Sequence, residues 1–523
     1  MGARYVGGLG AFLRQPLRQQ DCRRLLDQQY RAREESFLRL LERGVYGNPR
    51  SPYRTLLEKA GIHLSDIAGL LKQQGMEGCL ERLHEAGVYI SLDEFKGRSP
   101  LCRPGLEIPL HAEDFDNPLL QRHYEAFTGG SRGAGRRLVL DLDQITRDTI
   151  PHAVFQEAFG LVARPMGVWR PCPPNNSGIK KSLMQAKLGR SVDRWFSQNR
   201  LAESPAMWKY AAFTWYTTLA ARFYGSRCPA PEYTPLSEVM KVTRWMADCR
   251  ASGNPAYLDT AASGAVRVCM AAREHGLDIS GSLFRTGGEP LTAGKARAIR
   301  DAGAQAVCHY TMSEIGPIGM ACADASALDD VHVLQQKAAV IQRRQRIGPA
   351  GVEAGVLYLT SLTPVSPKIM LNVESGDYAV LEQRRCGCPL GAAGLDQHLH
   401  TIRSYEKLTS EGMTFLGGDL LLLLEEVLPR AFGGSPTDYQ FVEEEDNGLP
   451  RVNLVVSPRV GALEESRVVA VTLEFLASRS TGNRLMAGIW RQGETLRLVR
   501  REPYATHASK ILALHVGASP PRR

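Results

Sequence analysis

Three groups of residues in this sequence have the types and spacing to do chemistry. Thr128-Gly129-Gly130-Ser131-Arg132-Gly133-Ala134-Gly135-Arg136 is a loop of four glycines with two hydroxyls and three arginines nearby. Glycine lets backbone N–H groups approach phosphate oxygens closely, and hydroxyls and guanidiniums add donors and charge. The loop lacks the terminal Gly-Lys-Ser/Thr of a Walker motif and the spacing of a Rossmann fingerprint. His309-Tyr310-Thr311-Met312-Ser313-Glu314 ends an apolar strand and opens a loop. Ligands of open parallel sheets sit at such carboxyl ends. Here Tyr310 can stack on a base, Ser313 can meet a phosphate and Glu314 can hold Mg²⁺. Cys386-Gly-Cys388 has metal-type spacing, with Cys322 and His332 upstream and His398 and His400 as competing ligands. Thiolates with one imidazole suit tetrahedral Zn²⁺. Read singly, the first group is equally a surface loop, the second a capped strand end and the third a core cysteine beside two loop thiols.

The elements that must position these groups follow from pattern. Residues 1–120 read as largely helical: Phe37, Leu38, Leu41 and Val45 share a helical face, Leu56, Leu57 and Ala60 repeat it, and Ile67, Leu70 and Leu71 resume it after Gly61. His63 has no partner pattern. Residues 230–320 alternate helix and strand. A helix starts at Thr234-Pro235, another stops at Gly276, a short strand covers Ser282 to Arg285, a helix runs from about Thr292 to Gly303, and a buried strand runs from Gln305 to Tyr310. That rhythm predicts an α/β fold with parallel strands. Residues 356–360 and 378–381 read as short strands of a small β subdomain. The chain beyond about residue 402 reads as a separate α+β domain of ordinary size.

Bulk properties narrow the function classes. A chain of 523 residues, 43% hydrophobic and 23% charged, is long enough for one large domain with a smaller one. The net charge is +9, yet its basic residues are scattered apart from short clusters such as Arg343-Arg344, so nucleic acid is not an expected partner. No apolar run approaches the roughly 20 residues of a membrane span. The mild apolar patch from Tyr5 to Leu13 lacks a signal peptide's cleavage pattern, so a cytoplasmic protein is expected. The 11 cysteines suggest no disulfide framework.

Taken together, the loop at Thr128 to Gly133 and the Tyr310 to Glu314 segment resemble, by type and order, the motifs of the adenylate-forming superfamily of acyl-CoA synthetases, adenylation domains and luciferases. Gly287-Gly288-Glu289-Pro290-Leu291 resembles the adenine-side element of its phenylacetate–CoA ligase branch. Three further segments follow in the family's order. Ser375-Gly376-Asp377 resembles the motif whose aspartate holds the ribose hydroxyls. Arg403-Ser404-Tyr405-Glu406-Lys407-Leu408, with Gly412, resembles the interdomain hinge, whose arginine also meets the ribose. Ser509-Lys510-Ile511 resembles the terminal motif whose lysine grips the reacting carboxylate and the α-phosphate. The resemblance spans roughly residues 50 to 515.

What the resemblance implies is specific. An N-terminal ATP- and acid-binding domain, 1–402, would carry a mobile C-terminal domain, 403–523. ATP would be held by Thr128, Gly129, Gly130, Ser131, Gly133, Gly288, Glu289, Pro290, Tyr310, Ser313 and Asp377, with Mg²⁺ on Glu314. Lys510, Glu314 and Arg403 would serve catalysis. A carboxylic acid, aryl or acyl, would become an acyl-adenylate and then a thioester of CoA. Cys322, His332, Cys386 and Cys388 would hold a structural zinc, as in some members of that branch, and a dimer would fit the branch. The acid's pocket is expected between Trp169 and Phe196 and between Tyr257 and Gly264, with Trp169, Trp195 and Tyr257 as pocket or core aromatics.

The sequence departs from the family at Arg136-Arg137, where Pro-Lys is usual, at Met370-Leu371-Asn372, where Arg-Tyr is common, and at Ser509, where glycine is usual. These departures leave two alternatives to the CoA ligase. One is adenylation with transfer to an amine, an alcohol or a carrier-protein thiol. The other is a non-catalytic, ligand-binding relative.

Overall fold

The computed structural model describes residues 2–120, 124–127, 137–173, 176–198, 200–201, 208–226, 228–288, 291, 293–347, 352–404, 409–410, 413–414, 417–446, 449–479, 487, 491, 496–504 and 514–516. Its centre is a 12-stranded mixed sheet. The strands in chain order are β1 (Met166–Trp169), β2 (Arg194–Ser197), β3 (Glu232–Tyr233), β4 (Tyr257–Thr260), β5 (Leu283–Gly287), β6 (Gln305–Met312), β7 (Gly316–Ala321), β8 (Val331–Val333), β9 (Ala338–Ile347), β10 (Val352–Ser361), β11 (Val373–Gln383) and β12 (Gln397–Ser404). Their spatial order is β9-β10-β11-β12-β8-β7-β6-β5-β4-β1-β2-β3.

One half of the sheet is parallel, from β3 to β6, and the other half is antiparallel. The parallel half needs a cover on both faces, and its strands β1, β4 and β5 are buried at every position. Helices α1 (Gly2–Arg14), α2 (Leu142–Ala158), α3 (Ser177–Lys187), α4 (Trp208–Phe223), α5 (Val239–Ala251), α6 (Ala262–Glu274) and α7 (Ala293–Arg300) accompany it. The strands anticipated as a small β subdomain are longer than the sequence suggests. They hydrogen-bond into the antiparallel end of the same sheet.

Local signals behave as their chemistry requires. Asp141 caps α2 by accepting from the Gln144 N–H at 2.7 Å. Gly276 and Gly303 follow α6 and α7 with positive φ, the conformation that ends a helix without a Cβ penalty. Pro235 leads into a single turn before α5 begins at Val239. The helical stripe of the first 120 residues is buried at Phe37, Leu41, Val45, Leu56, Leu57, Ile67 and Leu71, and joins the largest apolar core. His63 stands exposed at the cap of the helix Leu64–Glu85.

A second core lies under α1, α2 and α3. A third, built from Leu420, Leu424, Tyr439, Phe441, Leu454 and Leu476 among others, belongs to the C-terminal α+β region. There a four-stranded sheet packs with the helix α8 (Glu465–Arg479). No helix among the described residues is long and apolar enough to cross a membrane.

Candidate functional site

Two of the segments singled out in the sequence, Gly287-Gly288 and His309 to Glu314, lie at the carboxyl ends of parallel strands β5 and β6. The register pairs Asp259 with Arg285, Thr260 with Thr286, and Gly287 with His309. Strand β6 then passes Tyr310, bulges against β7 and turns at Glu314. Tyr310 donates its hydroxyl to the Asp377 carboxylate at 2.8 Å, across 67 residues of sequence. Loss of solvent, reinforced by that carboxylate, pushes the Tyr310 phenol well above its ordinary value, so it stays a donor. Ser375 accepts from the Asp377 N–H at 3.1 Å, a turn that aims the aspartate. Ser313 is exposed, and the Glu314 carboxylate has no cation partner among the described residues. The Glu314 backbone carbonyl is held by the Lys368 N–H at 3.1 Å.

Arg403 is placed differently from Asp377. It ion-pairs with the buried Asp329 at 3.1 Å, and that carboxylate also accepts from the Thr401 and Ile402 N–H groups. Gly288 takes a positive φ just past β5. Thr128, Gly129, Gly130, Ser131, Gly133, Glu289, Pro290, Tyr405 to Leu408, Gly412 and Lys510 lie outside the described residues. Trp169, Trp195 and Tyr257 are fully buried core. Trp195 lies so close to α3 that a Cβ at Gly178 would come within 2.4 Å of its ring nitrogen.

A buried ionic cluster escapes the sequence reading. Asp259 meets Arg170 at 2.8 Å, Arg285, and Lys181 at 3.4 Å, and none of its side chain reaches solvent. Burial alone would raise its pKa. Lys181, Arg170 and Arg285 outweigh that and hold the carboxyl well below the usual range. Burial, with Arg285 beside it, lowers Lys181 to about 7. Arg285 also donates to His309 Nε2 at 2.7 Å. Burial and then Arg285 keep both His309 and His152 neutral, far below the ordinary histidine value. The available signal was a charge inside an apolar strand: Asp259 after Tyr257-Leu258, and Arg285 after Leu283-Phe284.

The four residues of the expected zinc set come together from three places in the chain. Cys322 follows β7, His332 sits on β8, and Cys386 and Cys388 flank the turn after β11. Their ligand atoms lie within 4.8 Å of one another. The Cys322 and Cys386 sulfurs are 3.7 Å apart, and His332 Nε2 is 3.0 Å from Cys388 and 3.4 Å from Cys386. Tetrahedral Zn²⁺, with bonds of about 2.3 Å to sulfur and 2.0 Å to nitrogen, would place its ligands roughly 3.5–3.8 Å apart. The set therefore fits such an ion with small adjustments.

The surroundings fit it too. His332 Nδ1–H donates to the Leu395 carbonyl at 2.8 Å, which leaves Nε2 for a metal. A hydrogen bond from Cys322, and then one from His332, pull the Cys388 thiol far below its usual pKa. The His398 ring lies 4.1 Å from that of His332, tilted by 47°, and bonds Asp330 at 2.8 Å; with Cys322 and Asp330 it forms a second, threefold group of potential ligands. His400 bonds Thr401 instead, and Cys308 is buried packing.

No protein-family model matches the sequence, and no curated protein matches it. Solved structures do. A 2-hydroxyisobutyryl-CoA ligase in the postadenylation state, in complex with R3-HIB-AMP, is 15% identical with a TM-score of 0.52, covering 94% of this chain and 89% of that one. The same ligase in complex with 2-HIB-AMP gives 15% identity and a TM-score of 0.50 over the same shares. At that identity the likeness is one of fold: the chain shares the fold of that ligase over most of its length.

Proposed function

We propose that the protein activates a carboxylic acid with ATP, forming an acyl-adenylate and pyrophosphate, and passes the acyl group to CoA with release of AMP. One observation carries the reading. The fold of an adenylate-forming ligase brings Tyr310 and Asp377 into hydrogen-bond contact at the carboxyl ends of the parallel strands. In this reading the Tyr310 ring stacks on adenine and Asp377 accepts from the ribose hydroxyls, with Arg403 beside them once it leaves Asp329. Gly288, Glu289 and Pro290 line the adenine side. Thr128, Gly129, Gly130, Ser131 and Gly133 hold the phosphates, and Ser313 joins them.

Attack of a carboxylate on the α-phosphate brings two anions together, so catalysis is positioning and neutralisation of charge. Lys510 holds the acid's oxygen against the α-phosphate. The Glu314 carboxylate is the residue that would hold Mg²⁺, which supplies further neutralisation when bound. No side-chain nucleophile is required.

The second half-reaction needs a path for the thiol, and we assign residues 403–523 as the domain that rotates to open it. Rotation would break the buried pair of Lys295 on α7 with Glu425, 3.0 Å apart. The Cys322, His332, Cys386 and Cys388 cluster would hold a structural zinc, tying β7 and β8 to the turn after β11. Transfer of the adenylate to an amine, an alcohol or a carrier-protein thiol is the second reading within the same chemistry.

ATP–pyrophosphate exchange against a panel of aryl and aliphatic acids, with and without CoA, is the test. Acid-dependent exchange that Lys510→Ala abolishes, followed by CoA-dependent AMP release, is the expected outcome. Exchange without CoA-dependent release would redirect the acceptor, and exchange unchanged in Lys510→Ala would remove that lysine from the mechanism.

A further inference from the structure

Helix α4 is inside out. A surface helix of a globular protein buries its apolar stripe and exposes its polar one. Here the buried side is Thr214, Thr217, Thr218 and Ala221. Each of those hydroxyls is turned back onto the helix's own carbonyls: Thr214 to Tyr210, Thr217 to Phe213 and Thr218 to Trp215, at 2.8–2.9 Å. The outer side carries Trp208, Trp215, Leu219 and Phe223 at helical spacing, with 67% of Trp208, 62% of Leu219 and 82% of Phe223 exposed. Tyr216 and Val6 of α1 widen the stripe, joined by the Tyr216 hydroxyl on the Val6 carbonyl at 3.3 Å. Six of the ten exposed large hydrophobic side chains among the described residues lie on these two helices. A contiguous apolar face of this kind marks a docking surface.

Charge names the occupant. Residues 1–20 contain Arg4, Arg14 and Arg18 and no acid. Residues 204–231 contain Lys209, Arg222 and Arg227 and again no acid. Arg14, Lys209 and Arg222 form no ion pair among the described residues; Arg14 donates to the Tyr224 hydroxyl at 3.2 Å. A second copy of the chain would set cations against cations. A bilayer surface with anionic headgroups accepts both features at once. Tryptophan and phenylalanine settle at the headgroup boundary, and each nearby Lys or Arg adds attraction. Such binding lies in the interface plane and needs no spanning helix.

We propose that the face formed by α4 and α1 docks the protein on an anionic membrane surface, through Trp208, Trp215, Leu219 and Phe223 with Arg14, Lys209 and Arg222 around them. The inference is independent of catalysis, since docking is read without turnover.

The experiment is flotation of the full chain with phosphatidylcholine vesicles, with and without phosphatidylglycerol, while following tryptophan emission. The expected result is flotation and a blue shift with the anionic vesicles alone, both lost at high salt. Leu219→Glu/Phe223→Glu should weaken binding by at least roughly tenfold, from the apolar burial forgone. Arg222→Gln should weaken it roughly fivefold, from about 1 kcal/mol per cation at an anionic surface. Both variants alter exposed side chains, so unchanged melting confirms their fold. Absence of flotation, or equal flotation by the double variant, overturns the proposal. So does a dimer in solution that the double variant splits, because the face would then be covered by a second copy.

Discussion

Two buried clusters of ionisable side chains sit on opposite halves of the central sheet, and they solve the problem of burial in opposite ways. The Asp259 cluster in the parallel half carries its own counter-charges: one carboxylate faces Arg170, Arg285 and Lys181. The Cys322, His332, Cys386 and Cys388 cluster in the antiparallel half gathers three sulfurs and an imidazole. Its nearest cation is Arg384, which is already engaged with Asp330 and approaches Cys322 only at 3.8 Å. A buried set of groups with internal compensation needs nothing from outside. Thiols and an imidazole converging on one point can instead take up a metal, which replaces the thiol protons. The first cluster should therefore be indifferent to chelators and sensitive to charge deletion, and the second the reverse.

The largest effect expected is from metal removal. Stripping the protein with a strong chelator should open the segment from Arg384 to Leu395, since structural zinc in small sites is worth on the order of 10 kcal/mol of binding free energy. Cys322, Cys386 and Cys388 should become reactive to thiol reagents, and metal analysis should find about one zinc per chain, lost in Cys386→Ser. Purified protein that is metal-free and fully stable would sink the site. In the same experiment the Asp259 cluster should be untouched.

Next in size is Asp259→Asn. It leaves Arg170 and Arg285 facing each other without their carboxylate, and breaking a buried pair by removing one partner costs about 3–5 kcal/mol. Thermal or denaturant unfolding should show that loss with or without chelator. A variant as stable as the parent would mean that solvent already screens Lys181, whose side chain is 15% exposed.

The two clusters also differ in how far the sequence discloses them. Cysteines at a metal spacing with an upstream Cys and His are distinctive residue types, so the family resemblance could single out Cys322, His332, Cys386 and Cys388 before any fold was known, with His398 and His400 left as competitors. The Asp259 cluster is assembled from positions 170, 181, 259, 285 and 309, each embedded in an apolar or helical context that says nothing of its partners. Only the register of parallel strands brings Asp259 opposite Arg285. The α/β rhythm of residues 230–320 was legible because Gly and Pro punctuate it. The continuity of the sheet through β9–β12 was not, because strand pairing is non-local and turn residues between short apolar runs look alike in a subdomain and a sheet. Tyr310 and Asp377 were legible as motif members. Arg403's engagement with Asp329 was not, since Asp329 belongs to no motif. The aromatic outer face of α4 hides for a related reason: a stripe at helical spacing reads as core until the fold shows which side is out.

A smaller effect separates the clusters by pH. His309 and His152 are kept neutral beside the Asp259 cluster, while each would take a proton near pH 6.5 in the unfolded chain. Folded pKa values below the unfolded one mean that stability is fully present above pH 6.5 and is lost as pH falls below it. The slope approaches about 1.4 kcal/mol per pH unit for each histidine. Denaturant midpoints measured between pH 7 and pH 5 should fall accordingly, and His152→Gln should flatten part of the slope. An identical slope in that variant would show that the histidine is already protonated in the folded protein.

The smallest prediction bears on the proposed nucleotide site on β6 and β11. Tyr310→Phe removes one hydroxyl and leaves the ring. If the ring stacks on adenine and the hydroxyl only aims Asp377, the loss is one hydrogen bond to a carboxylate, about 1.5–3 kcal/mol at most. The ATP KM should then rise by roughly 10- to 150-fold, with little change in kcat, while Tyr310→Ala should raise it further by removing the stacking surface as well. Equal KM values for the two variants would mean the ring contributes nothing, and the adenine would have to sit elsewhere. A fall in kcat alone would place Tyr310 at the reacting phosphate instead of the base, and would break the assignment of Asp377 to the ribose along with it.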